Sequence, residues 1–169
     1  YSPLGTPYRY GYIHEASYSP ENYGIWEKTV DGGMMWQIRF TSRDAYAISF
    51  EFEEFYIPEG SELYIYSPEY EMVQGAYTHL NNRLHQNFAT PLIKGDTAII
   101  EYYQPTGVDG DFSLIITEII HDYRDIMDFS GNGRDWECGI NVICEIDEIY
   151  QGAINSVAFL DMGGYICSG

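Results

Sequence analysis

From Met34 onward, hydrophobic and polar side chains alternate with the period of a β-strand. Trp36, Ile38 and Phe40 alternate with Gln37 and Arg39, and Tyr46, Ile48, Phe50 and Phe52 alternate with Ala47, Ser49 and Glu51. Side chains two apart share one face of a strand, so each set predicts one buried face and one wet face. Pro58-Glu59-Gly60 predicts a turn, and Leu63 and Ile65 follow as the inward pair of a short strand. Weaker strand signals cover 75–78 and 88–93, with an Asn81-Asn82 loop between them. Lys94-Gly95-Asp96 turns into a strand over 97–103, and a loop over 105–111 leads to the strongest signal, 112–120. Residues 1–33, rich in Tyr, Pro, Gly and Ser, show no sustained period and read as a loop-like lead-in contributing an edge strand.

Strands at this spacing, with turn signals between them and no amphipathic helix, predict an all-β chain. Residues 1–122 are expected to form a jelly-roll-like β-sandwich. The pattern then changes. Residues 123–137 read as a linker, with a flexible Ser130-Gly131-Asn132-Gly133 run and Arg134 exposed beside it. Further on, Val157 to Leu160 is a short apolar run, Asp161 to Gly164 is turn chemistry, and Tyr165-Ile166-Cys167 begins a return strand. A hairpin whose return strand stops so soon leaves an open edge that needs a partner. The chain is therefore expected to hold one complete unit and, over 138–169, the opening of another.

Composition narrows the function classes. Twenty-six acids against eight Lys and Arg give a net charge of −18. A surface of that sign repels nucleic acid and acidic lipid, whose binding depends on basic residues. It suits solubility or a cation-rich medium. The 17 tyrosines suit half-exposed β-surfaces, because the ring supplies buried area while the hydroxyl stays wet. The chain opens on Tyr1 with no initiator Met, signal peptide or membrane-length apolar run, which predicts a processed, extracellular protein with no membrane insertion. The histidines (His14, His79, His85, His121) are scattered and no Cys/His group has zinc spacing, so neither metal nor cofactor is expected. Asp109-Gly110-Asp111 invites a calcium or carbohydrate reading. Two carboxylates fall short of the six to eight oxygens calcium takes, so solvation of that loop is the better account.

Cys138-Gly-Ile140-Asn-Val142-Ile-Cys144, Ser156-Val-Ala158 and Tyr165-Ile-Cys167-Ser-Gly169 occur in that order. This C-terminal part resembles the opening of secreted bacterial trypsin-like serine endopeptidases of the lysyl endopeptidase type. Residues 1–122 resemble the β-rich region that precedes such protease domains. The matching segments there include Asn22-Tyr-Gly24-Ile-Trp26, Trp36-Gln-Ile-Arg39, Leu63-Tyr-Ile-Tyr66, Gly75-Ala-Tyr-Thr78, Ala89-Thr90-Pro-Leu-Ile-Lys-Gly95-Asp96, Ile100-Glu-Tyr-Tyr103 and His121-Asp-Tyr-Arg124. Two departures stand out. The stretch between Cys144 and Ser156 lacks the family's Trp, with Trp136 lying before Cys138 instead, and no catalytic Ser, His or Asp matches.

The resemblance implies a pro or accessory sandwich followed by the first strands of an incomplete trypsin-like barrel, with no catalytic residue in this chain. It implies that Cys138, Cys144 and Cys167 bond to partners beyond Gly169, covalently joining this region to the rest of the protease. Three cysteines cannot all pair with one another, and a local Cys138–Cys144 bridge with Cys167 free is the other arrangement. Arg134 becomes a candidate processing site, because cleavage needs a mobile, exposed backbone. The alternative is a non-catalytic structural or adhesive extracellular module. Its open hairpin edge would then be filled by identical subunits, strand by strand, with the Tyr-rich N-terminal segment as a possible donated strand.

Overall fold

A computed structural model describes residues 7–127 and 159–168. Its strands are β1 (Tyr8–Arg9), β2 (Gly11–Tyr18), β3 (Ile25–Lys28), β4 (Met34–Thr41), β5 (Ala47–Tyr56), β6 (Glu62–Tyr66) and β7 (Val73–Tyr77). After a single 3-10 turn at His79–Asn81 come β8 (Phe88–Ala89), β9 (Ile93–Lys94), β10 (Thr97–Gln104), β11 (Ser113–Asp122), β12 (Phe159–Asp161) and β13 (Tyr165–Ser168). The sheets run β3-β4-β10-β6-β7 and β2-β11-β5-β8, with β9 also on β5, and a third, small sheet runs β1-β13-β12. Every ladder is antiparallel. The chain crosses between the two large sheets mostly in pairs: β3 and β4 share one, β5 lies in the other, and β6 and β7 return to the first. β8 and β9 return to the second, and β10 and β11 return to lie between early strands. That crossing is the double Greek key of a jelly roll, so the all-β sandwich expected from the strand pattern is present. The described residues form no closed barrel.

The core lies between the two large sheets. Trp36, Ile48, Phe50, Phe52, Leu63, Ile65, Ile100 and Tyr102 are all buried there, as their alternation predicts. Tyr102 stacks on Phe112 and Trp36 tilts against the same ring. Burial pushes the Tyr102 phenol up to about 12. Tyr46 departs from the pattern: it precedes β5 and is exposed. Toward the other end of β5, Glu54 adopts φ +50, which offsets the alternation and turns Phe55 into the core.

Three further differences have local causes. The lead-in contributes three strands, and the eight-residue β2 forms a sheet edge whose mostly wet side chains carry little periodic signal. The segment 88–93 divides into two short strands. Pro91 has no N–H for the ladder, and Thr90 takes over locally, its Oγ accepting from Phe50 N at 3.0 Å. The Asn81-Asn82 loop is an ordered turn in which Asn82 bonds both the N–H and the C=O of Ile57, each at 2.9 Å.

β11 is apolar on both faces because both are covered. A register shift between Ile116 and Glu118 turns Ile119 to the sandwich core and Ile120 to the outer face. On that outer face a second cluster gathers Tyr10, Ala47, Leu92, Ile120 and Ile126, with Met127 and Ile166 against it. Of the stretch read as linker, residues 123–127 are described. The buried Asp122 turns them back onto the sheet, its carboxylate accepting from Arg124 N at 2.7 Å and Ile126 N at 3.1 Å.

Candidate functional site

The site lies where the β12–β13 hairpin meets the outer face of β2-β11-β5. The hairpin turn places Gly163 and Gly164 at φ +58 and +80, as a two-residue type I′ turn requires, and Met162 N bonds Tyr165 O at 2.8 Å. The turn then reaches the sandwich. Gly164 O accepts from Tyr10 N at 2.9 Å and from Gly11 N at 3.0 Å. The open edge of the return strand finds its partner in the chain's own N-terminal segment, with Tyr8 opposite Ile166 and Arg9 opposite Tyr165. Close approach is possible because Gly11 faces Gly164: a Cβ on Gly11 would sit 3.1 Å from Gly164 Cα.

Tyr10 is the centre of this junction. It is 0 % exposed, and its hydroxyl donates to Asp161, lying 2.8 and 2.9 Å from the two carboxylate oxygens. Burial, reinforced by Asp161, holds the Tyr10 phenol protonated far above its usual range. Desolvation also raises the Asp161 pKa, against the opposing effect of the Tyr10 hydroxyl and the amides of Gly163 and Met162.

Beside the junction runs a row of acids. Cross-strand register sets Glu15, Glu118 and Glu51 side by side on β2, β11 and β5. Burial raises the Glu51 pKa, and the charges of Glu118 and Asp161 raise it further. Two hollows meet at this row. One, about 580 Å³, is walled by Met72, Leu92, Ile120, Ile126 and Met127 and carries Glu51 and Asp161. The other, about 540 Å³, is walled by Glu15, Glu51, Glu53 and Glu118 with Asn87 and Phe88.

The pKa shifts give the junction a pH dependence of definite sign. Glu51 and Asp161 hold protons more tightly in the folded protein than free carboxylates do, so folding takes up protons. Stability should rise as pH falls from neutrality through their raised titrations, and the gain should level off below the ordinary carboxylate range. Glu51→Gln should flatten this dependence and stabilise the docked hairpin at pH 7 by about 0.2–1 kcal/mol, the scale of a like-charged cross-strand neighbour. Thermal melts of both proteins across pH 4–8 check it; steeper melting of the variant at low pH would contradict it.

The residues singled out in the sequence fall elsewhere. Arg134, Cys138 and Cys144 lie outside the described residues. Cys167 lies in β13, but its side chain is not among those described. Asp109 and Asp111 are exposed, and among the described residues no group of three or more His, Cys, Asp and Glu is placed to hold a metal ion. The histidines are less scattered than their spacing suggests: the rings of His14 and His121 lie 6.2 Å apart across the β2–β11 ladder. Ser42 Oγ lies 2.7 Å from His121 Nδ1, the contact a nucleophile and base need. No carboxylate is found orienting the other ring nitrogen among the described hydrogen bonds, and the pair lines neither hollow.

Tyr10, Gly11 and Glu51 gave no motif in the sequence, and Asp161 read only as part of a turn. The Gly163-Gly164 pair marked a turn, but not what the turn would touch. No helix among the described residues is long and apolar enough to cross a membrane. No protein-family model and no solved structure matches the chain.

Proposed function

We propose that this chain is the N-terminal pro or accessory β-sandwich of a secreted trypsin-like serine endopeptidase, together with the opening strands of the protease domain. The observation that carries this reading is the junction itself. The segment resembling a protease's first hairpin is completed by β1 and anchored through Gly164 and Asp161 to Tyr10 and Gly11. In this reading the sandwich acts as a folding clasp. It supplies the missing edge to the hairpin while the rest of the barrel forms, and the triad belongs to the polypeptide beyond Gly169. Processing at Arg134 would then free the protease from the clasp, with Cys138, Cys144 and Cys167 bonded within the mature enzyme.

The test is a serine-reactive fluorophosphonate probe applied to the polypeptide made from the uninterrupted reading frame. The expected result is a labelled species that includes residues 138–169. A product ending at Gly169, or one that takes no label, refutes the reading.

A second reading, a self-assembling structural module, is supported by β3. Among the described residues this is an outer edge strand with no partner on its far side, exposing Ile25 and Trp26 to 66 % and 41 %. An apolar edge of that kind invites strand addition. Size-exclusion chromatography over a concentration series distinguishes it: growth with concentration favours assembly, and a constant monomer argues against it.

A further inference from the structure

The 580 Å³ hollow beside the junction has the size of a small-molecule site, for which the usual range is about 300–1,000 Å³. Its composition is one-sided. Met72, Leu92, Ile120, Ile126 and Met127 make an apolar wall, while Glu51 and Asp161 are the ionisable groups on it. Among the described residues, no Lys, Arg or His lines it.

The two acids are not equivalent. Asp161 is occupied by the Tyr10 hydroxyl and by the amides of its own turn. Thr117 donates to the Glu51 backbone carbonyl at 3.3 Å, but the Glu51 carboxylate accepts no hydrogen bond from any described residue, although it stands among Glu118 and Asp161. A half-buried carboxylate with like-charged neighbours and an apolar floor is stabilised by a cation that brings its own apolar surface. An inorganic cation is poorly served, because two carboxylates supply too few oxygens and the remaining wall cannot solvate it. A neutral or anionic molecule of the same shape leaves the acids uncompensated. The chain's net charge of −18 also raises the local concentration of cations.

We propose that this hollow binds a small organic cation, a primary ammonium on an apolar stem, with the ammonium against Glu51 and the stem along Met72, Ile126 and Met127. The proposal rests on the hollow alone and stands whether or not the chain serves a protease.

Hexylammonium is a suitable probe, with 1-hexanol and hexanoate as its neutral and anionic counterparts, titrated into the full chain and followed by NMR shifts and calorimetry. The expected result is saturable one-to-one binding of hexylammonium, weaker by about tenfold or more for 1-hexanol, and absent for hexanoate. Glu51→Gln should lose the same factor for hexylammonium, while Glu59→Gln, at an exposed turn away from the hollow, should change nothing. The comparison of the three probes on the unaltered chain does not depend on any variant folding. Equal binding of 1-hexanol, no saturable binding of hexylammonium, or an unchanged affinity in a folded Glu51→Gln protein overturns the proposal.

Discussion

Trp36→Ala should destabilise the protein by about 3–5 kcal/mol, a large share of the roughly 5–15 kcal/mol that holds a domain folded. Trp36 is 0 % exposed at the centre of the sandwich, and its indole N–H donates to Tyr23 O at 2.9 Å. The backbone has shaped itself to the ring: a Cβ on Gly24 would come within 2.3 Å of Trp36 Nε1. Truncation therefore leaves a cavity between the sheets and an unpaired carbonyl at once. Denaturant unfolding reads the effect as a lower midpoint with an unchanged slope. A loss below about 1 kcal/mol would mean that Trp36 is not in the core.

Gly164→Val should release the hairpin while leaving the sandwich folded. Residue 164 holds φ +80, which a β-branched residue adopts only under strain, and a side chain there would meet Gly11 O at 3.1 Å and Ile13 Cγ1 at 3.4 Å. Undocking also leaves the Tyr10 and Gly11 amides without their shared acceptor. Strain of about 1–3 kcal/mol and a comparable cost for the lost hydrogen bonds should speed hydrogen exchange at those two amides by roughly a hundredfold. Exchange in the β10–β4 ladder should be unaffected. Fast exchange at Tyr10 and Gly11 in the unaltered protein would remove the docked hairpin from the account.

The contrast between these two residues shows what the sequence could and could not convey. The core was legible because a strand with one buried face writes itself as alternation. Trp36-Ile38-Phe40 and Ile48-Phe50-Phe52 both lie against the core, although Ala47 and Ser49 on the other face of β5, read as wet positions, are buried as well. Where the backbone departs from regular pleating the signal fails. The positive φ of Glu54 and the register shift at Ile116/Glu118 each offset the pattern by a residue. β2 passed as loop because an edge strand buries too few side chains to show a period.

The junction was legible only in halves. Gly163-Gly164 announced a turn, and the short return strand announced an edge in need of a partner. By its sequence the N-terminal segment suits a strand given to another copy. Its pairing within one chain, and the Tyr10–Asp161 bond across a separation of 151 residues, depend on tertiary placement that no local pattern encodes. Glu51 read as an ordinary wet position of β5, and only the register that aligns it with Glu118 and Glu15 gives it a role.

The clasp between sandwich and hairpin is the central claim, and it is best tested from the sandwich side in the polypeptide made from the uninterrupted reading frame. Gly11→Val places side-chain carbon 3.1 Å from Gly164 Cα and 2.7 Å from Ile120 Cγ2, so it pushes the hairpin away without altering the segment that resembles a protease. The measurement is the yield of fluorophosphonate-reactive enzyme after refolding, with and without the substitution. The clasp predicts a several-fold lower yield for Gly11→Val and an unchanged activity per labelled molecule. An equal yield, with exchange at Tyr10 confirming that the hairpin has been displaced, would contradict it.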